Sequence, residues 1–332
     1  MSLFAGLLNI IWVLSFCYAS FAQTCATRKL DPRVSAALKG GLPNLKAGVT
    51  APLPEQVEKD KVTFSKLFPQ SDIKTIKITA DSISLQIYNP AHRSGLPIVI
   101  SYHEGGFIMP ILPAMQLTLW QQAKNLGAMV IAVDYRLPPQ HPFPTAVDDA
   151  YQTFKWVLQH ANELGGDTSK IVILGVSSGG NLAAVVCQKA KREGLVKMIK
   201  LQVLNCPQLE NPDNYAKYPS YLENGSGYFL TEEVLLYCAQ QYASKKNYNN
   251  SDFAPILTKD LGGLPPTVII TAEFDPLRDE GAAYADYLQK AGVKVWYKCF
   301  PGQIHGLVGL PPDAEELKER NNFIIAAMSQ LK

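Results

Sequence analysis

Charge is sparse in this sequence, and neither sign dominates. Only 18% of the 332 residues are Asp, Glu, Lys or Arg, and 31 basic against 29 acidic residues leave a formal net charge of +2. With no block of Lys or Arg, the chain lacks the positive face that a nucleic-acid or polyanion partner would need. There is no internal repeat and no low-complexity tract, which excludes solenoids, propellers and disordered spacers. Histidine and cysteine are scarce, with five and six residues. Their spacing resembles no zinc site. Residues 3–21 contain no charge at all.

What the chain has in quantity is apolar surface to bury. At 47% hydrophobic content, 332 residues supply the core of one large α/β domain or two ordinary ones. The uncharged run 3–21 ends in Ser20-Phe21-Ala22 before Gln23, a small-x-small pattern, so residues 1–22 read as a signal peptide for periplasmic or secreted delivery. An uncleaved membrane anchor is the alternative, because no basic residue precedes the run and its length approaches the ~18 residues of a span. The first basic residues, Arg28 and Lys29, follow the run and would hold the body of an anchored chain in the cytosol. After cleavage no stable membrane partner is expected. Export would place Cys25, Cys187, Cys206, Cys238 and Cys299 where disulfides form, although an odd number cannot pair completely. Cys187, Cys206 and Cys299 lie in apolar helix or strand patterns, which predicts buried thiols.

Residues 23–70 are polar and Pro-rich, with helical stretches at 32–38 and 54–67, and read as a helical appendage to the core. From Ile73 onward, alternation over 73–79 and 83–88 predicts an antiparallel strand pair at a sheet edge. Continuous apolar runs at 97–102, 128–133, 170–175, 201–205, 267–271 and 293–300 then alternate with helical patterns near 115–125, 146–160, 181–191, 231–242, 280–291 and 313–328. Strands buried on both faces and separated by helices imply a mostly parallel central sheet with helices on both faces, an α/β fold over residues 71–332. One stretch breaks the rhythm. Residues 207–264 form a polar and aromatic insertion with one clear helix, entering just after a strand's C-terminal end, where open α/β sheets bind ligands.

The chemistry centres on Gly175-Val176-Ser177-Ser178-Gly179, a G-x-S-x-G sequence between a strand pattern and a helix pattern. The pentapeptide alone is a weak signal, and the residues that a nucleophilic serine needs decide its reading. Acyl transfer requires a base, an acid to orient it, and N–H donors for the oxyanion. In strand–turn–helix enzymes of this type the acid and then the histidine follow the serine along the chain. His305 is the one histidine after Ser177, while His92, His141 and His160 have plainer readings as structural or solvated residues. Asp275 follows the strand pattern 267–271 and is the acid candidate, whereas Asp279 and Glu280 stand where a helix starts and read as capping and dipole-complementing residues. Gly105 and Gly106, in the loop after the strand 97–102, together with Ser178, are the oxyanion donors.

These residues lie in motifs that resemble the hormone-sensitive-lipase-like (bacterial family IV) carboxylesterases of the α/β-hydrolase superfamily. The resemblance runs from about Ile98 to Leu307. His103-Glu104-Gly105-Gly106-Phe107 matches the family's His-Gly-Gly-Gly-Phe loop, and Asp134-Tyr135-Arg136-Leu137 with His141-Pro142-Phe143-Pro144 matches its next signature. Further matches are Gly175 to Asn181, Gly263-Leu264-Pro265-Pro266, Asp275-Pro276-Leu277-Arg278-Asp279-Glu280-Gly281 and His305-Gly306. The resemblance implies an α/β-hydrolase fold and hydrolysis of short- to medium-chain carboxylic esters through an acyl-enzyme. It further implies no metal or organic cofactor, a small-molecule ester substrate, and a cap built from the N-terminal segment and the insertion. Phe107, Tyr221, Tyr228, Phe229 and Leu307 are the candidates for the substrate pocket.

Four departures from the pattern carry expectations of their own. Glu104 replaces a glycine; were its backbone left-handed, it would cost about 1–2 kcal/mol, and its side chain is expected to point away from the site. Val176 replaces the common Asp and removes a polar tether. Ser178 for Ala should be neutral, since the donor there is main chain, and Leu307 for Phe would reshape the pocket. An amidase or lactonase on the same residues, or a non-catalytic small-molecule-binding relative, are the rival readings. Two sequons, Asn224-Gly225-Ser226 and Asn249-Asn250-Ser251, would matter only in a eukaryotic secretory pathway.

Overall fold

The computed structural model describes Cys25, residues 27–40, Leu42, residues 54–80 and residues 82–330; the expected signal peptide, residues 1–22, lies outside the described residues. Eight strands form one sheet in the order β1-β2-β4-β3-β5-β6-β7-β8. They are β1 (Ile73–Ile78), β2 (Ile83–Tyr88), β3 (Leu96–Tyr102), β4 (Met129–Asp134), β5 (Gly166–Val176), β6 (Ile199–Asn205), β7 (Thr267–Phe274) and β8 (Val295–Ile304). β1 pairs with β2 and β2 with β4 antiparallel, and every pair from β4 to β8 is parallel. The edge pair and the parallel core thus stand where the alternation and the continuous apolar runs put them.

Period-two alternation along the central strands divides the core into two layers. Ile98, Ile100, Ile131, Ile173 and Ile269 face helices α4 (Thr145–His160), α5 (Ser178–Arg192) and α8 (Arg278–Lys290). Val99, Val130, Val172, Val203 and Ile270 face α3 (Pro113–Leu126) and α9 (Glu315–Ser329). Each such side chain, fully buried, contributes roughly 1.5–3 kcal/mol.

The strand order turns back at β3 and β5, so the chain leaves these neighbours in opposite directions and opens a crevice at their C-terminal ends. Tyr102, the last residue of β3, is registered against Gly175 of β5. The loop with the glycine pair and the turn with the serine therefore start side by side.

The insertion contains α6 (Pro219–Asn224) and α7 (Glu232–Tyr242), the latter capped by Thr231 Oγ1, which accepts from Val234 N–H at 3.3 Å. With Tyr215, Tyr221, Leu230, Val234, Leu235 and Cys238 it forms a separate apolar cluster against Ile108 and Leu277 at the sheet rim.

The N-terminal segment is more than an appendage. Beyond α1 (Pro32–Gly40) and α2 (Pro54–Phe64), which packs on α3, it carries a disulfide from Cys25 to Cys299 of β8. This corrects the expectation of a buried thiol at Cys299: the strand pattern located the residue but held no sign of a partner 274 positions away. Cys187, Cys206 and Cys238 are free and buried. Beside the disulfide, buried Glu273 accepts from Thr27 Oγ1 at 2.7 Å, Arg28 N at 2.5 Å and Gly302 N at 2.7 Å. Among the described residues no helix is long and apolar enough to cross a membrane.

Candidate active site

Ser177 joins β5 to α5 without a loop, at φ 55° and ψ −120°. A left-handed serine costs on the order of 1–2 kcal/mol, and the surrounding backbone holds it. Ser177 N donates to Asn205 O at 2.9 Å, and Ser177 O accepts from Gln208 N and Asn181 N, each at 3.2 Å. The flanking glycines are required by close approach rather than by freedom of φ. A Cβ on Gly175 would lie 1.9 Å from Gly179 O, and one on Gly179 would lie 2.0 Å from Tyr102 O. Val176, in place of a polar tether, packs on the apolar layer that faces α3 and α9.

In the neighbouring loop, His103 stacks on Tyr135 at 4.2 Å, and Tyr135 OH donates to His103 O at 3.0 Å. Burial pushes the His103 ring down to about 4, so it is neutral at physiological pH. Arg136 clamps buried Asp149, with Nη2–Oδ1 at 2.6 Å. Tyr135 thus braces the loop, and Arg136 ties the end of β4 to α4. Gly105, Gly106 and Phe107 have φ of 126°, 62° and 66°. Among the described residues neither Gly105 nor Gly106 donates its N–H to another protein group, and the Ser178 N–H begins α5 with no intrahelical acceptor. Three main-chain N–H groups without a protein acceptor thus stand in the neighbouring loops after β3 and β5.

Glu104 escapes the conditional cost. The left-handed residues of the loop are the three that follow it, so it bears no such cost. Its carboxyl is raised by burial, with the charges of His305 and Arg320 acting the other way.

Across the rim, Asp275 is fully buried and follows β7, and His305 follows β8. His305 Nδ1 lies 2.8 Å from Asp275 Oδ2, and Asp275 Oδ1 accepts Leu277 N–H at 2.9 Å. The sulfur of Cys206 joins them: one atom from each of Cys206, Asp275 and His305 lies within 4.8 Å of the other two. The 2.8 Å contact is that of a hydrogen bond. Two donors on one tetrahedral ion, with bonds of ~2.0–2.3 Å, would stand about 3.3 Å apart or more. A direct Ser177–His305 hydrogen bond is not formed among the described residues.

The acid loop has a partner the sequence did not announce. Asn224 of α6, buried, donates through Nδ2 to Glu273 O at 3.1 Å and to Asp275 O at 3.3 Å. Asp279 and Glu280 stand in the first turn of α8 as expected, but neither caps it, and both reach across to the insertion. Asp279 Oδ2 accepts from Ser220 N at 2.8 Å, and Glu280 accepts from Leu209 N at 2.5 Å and Tyr221 OH at 2.7 Å. Burial lifts the Glu280 carboxyl to about 8.

The pocket candidates divide. Phe107 stacks on Tyr242 at 4.0 Å, Tyr221 stacks on Tyr215 at 4.1 Å, and Leu307 is buried in the layer against α3 and α9, so all three are fixed by packing. Tyr228, set against the Phe274 ring, and Phe229, at φ 76°, stay half-buried at the entrance to α7. A surface cavity of about 510 Å³ lies elsewhere, lined by residues such as Lys191, Arg192 and Asp260, and does not touch Ser177 or His305.

Comparison with known proteins agrees with this geometry. Residues 99–309 match the α/β-hydrolase fold family. The carboxylesterase NlhH of Mycobacterium tuberculosis is 35% identical over 254 residues, 74% of this chain and 78% of its own length. An ethyl acetate hydrolase of Pseudomonas putida is 31% identical over 264 residues, 78% of this chain and 82% of its own. The solved structure of a hyperthermophilic esterase from the archaeon Pyrobaculum calidifontis superposes with a TM-score of 0.80 at 34% identity, covering 91% of this chain and 98% of the other. Similarity of this extent, in sequence and in fold together, makes the chain a member of the α/β-hydrolase carboxylesterases of the hormone-sensitive-lipase-like branch.

Proposed function

We propose that the chain hydrolyses short- to medium-chain carboxylic esters, with Ser177, Asp275 and His305 as its catalytic residues. The observation that carries this reading is the buried 2.8 Å hydrogen bond between His305 Nδ1 and Asp275, on the same rim as a left-handed serine. Asp275 fixes the imidazole with its proton on Nδ1 and leaves Nε2 as the base. Ser177 Oγ attacks the ester carbonyl carbon while its proton passes to Nε2, and the C=O electron pair moves onto oxygen. Gly105, Gly106 and Ser178 N–H groups receive that oxyanion. The imidazolium then protonates the leaving alkoxide. Water, deprotonated by the same nitrogen, attacks the acyl-enzyme and releases the acid. The serine–histidine contact tightens when substrate binds, as is common for such pairs.

The insertion 207–264 and the segment 23–70 act together as a cap on the catalytic body 71–332. An ethyl acetate hydrolase among the relatives supports a short acyl chain. The chain is exported and loses residues 1–22. A disulfide at Cys25, three residues beyond the proposed cleavage point, supports an oxidising destination.

The test is turnover of p-nitrophenyl esters from acetate to palmitate by the chain starting at Gln23, with Ser177→Ala alongside. Activity greatest at the short end and lost in the variant is expected. Equal activity in the variant, or no turnover by folded protein, would overturn the reading.

A further inference from the structure

Cys206 stands directly after β6 in a left-handed conformation, φ 45°, its N–H bonded to Ile270 O at 2.7 Å. A non-glycine residue in that region stores strain, which in a structured turn usually serves to aim a side chain. Here the side chain is aimed between the two catalytic loops. Its sulfur accepts the Gly306 N–H at 3.3 Å, next to His305, and lies in the same 4.8 Å group as the Asp275 and His305 atoms. The preceding residue, Asn205, accepts the Ser177 N–H. This short turn therefore touches the nucleophile on one side and the acid–base pair on the other.

We infer that Cys206 is a positioning residue for the reaction: its sulfur holds the His305 loop through Gly306, and its S–H points at the Asp275 carboxylate as that group's third donor, after Leu277 N–H and His305 Nδ1–H. Burial and the Asp275 charge push the thiol well above its usual range, so it remains a neutral donor. The other ionisable groups facing this cluster are Glu104 from the loop after β3, Arg320 from α9 and Tyr221 from α6. They stay in place in every variant below. A carboxylate with three donors holds the imidazolium less strongly than one with two. Losing the thiol thus strengthens the imidazolium and moves the acid limb of kcat/KM to higher pH.

The inference rests on the proposed catalytic reading, and the experiment separates the two. kcat and KM for p-nitrophenyl acetate are measured from pH 5 to 9 for the wild type, Cys206→Ala, Cys206→Gly, Cys206→Ser and Ser177→Ala. Gly relieves the left-handed backbone and so provides a folded thiol-free variant even where Ala costs stability. Ala and Gly are expected to lower kcat roughly 5- to 20-fold with KM little changed, and to shift the acid limb upward. Ser, with a hydroxyl that can accept and donate in the same place, should keep the wild-type limb and restore most of kcat. Ala and Gly variants with the wild-type limb and kcat would overturn the inference, even where their melting temperatures fall. So would a Ser variant indistinguishable from Ala. Activity surviving in Ser177→Ala would instead remove the catalytic reading itself.

Discussion

The two halves of the rim are built on different principles. On the serine side, the reacting group is held by main chain: β5 runs straight into α5, Asn205 O and Gln208 N–H bond the Ser177 backbone, and Gly175, Gly179 and the end of β3 leave no room for a side chain. On the acid–base side the supports come from far away. Asn224 holds the Asp275 carbonyl, Cys206 holds Gly306, and Glu273 with the Cys25–Cys299 disulfide fixes the end of β8 to the N-terminal segment. Ser177 is thus held by main-chain geometry. His305 and Asp275 are held through side chains and a disulfide from other parts of the fold.

That contrast can be broken at several points. The largest effect is expected from Ser177→Ala, which should cost about 10⁴-fold or more in kcat while leaving the melting temperature close to that of the wild type. Gly179→Ala comes next and acts on folding. The added methyl would meet Tyr102 O, which is backbone and cannot give way, so a loss above ~4 kcal/mol, or no soluble protein, is expected in denaturant melts. A mild phenotype would mean that the serine side is less tightly packed than its distances indicate.

Asn224→Ala tests the other half. Glu273 O and Asp275 O each lose one of two donors, since Arg278 Nη1 and Arg278 N–H still reach them at 3.1 Å, and a loss of about 0.5–1.5 kcal/mol with a several-fold drop in kcat is expected. Unchanged kinetics would show that the acid loop does not need the insertion.

The smallest effect concerns Glu280, whose folded carboxyl sits at about 8 against an ordinary 4.5. Between those values the native state binds the extra proton, so the group lowers stability as pH rises through the window and adds no further slope above it. Glu280→Gln keeps an acceptor for Leu209 N–H and has no proton to lose. Its melting temperature relative to wild type should therefore climb from pH 5 to pH 9. A difference that stays constant with pH would mean that Glu280 is already ionised in the fold.

The same contrast explains what could be read from the residues. The alternating sheet, the serine turn and the loop with Gly105 and Gly106 depend on neighbours in sequence or on strand periodicity, and both leave a visible pattern. Asp275 and His305 were legible as candidates because chain order and scarcity single them out. Their supports were not. Asn224 lies in a helix of six residues, too short to show a period. Asp279 and Glu280 occupy helix-start positions that give a sufficient local reading, and only the folded insertion reveals Ser220, Tyr221 and Leu209 as their partners. At Glu104 the sequence leaves the backbone conformation open, and in the fold the left-handed run starts one residue later, at Gly105.

Asn224 also has a consequence for the choice of cell in which the chain is made. It is the first residue of an acceptor sequence for N-linked sugar, and the nitrogen that would carry the sugar is the one that bonds to the carbonyls of Glu273 and Asp275. In a host that glycosylates chains as they emerge, transferase and fold would compete for a single atom. A chain modified first could not dock α6 on the acid loop, and one that folded first would be closed to the transferase. Asn249, exposed on the surface, has no such conflict and could bear a glycan without cost to the active site. Such a host would therefore yield two populations, and the fraction active would report how fast the insertion folds.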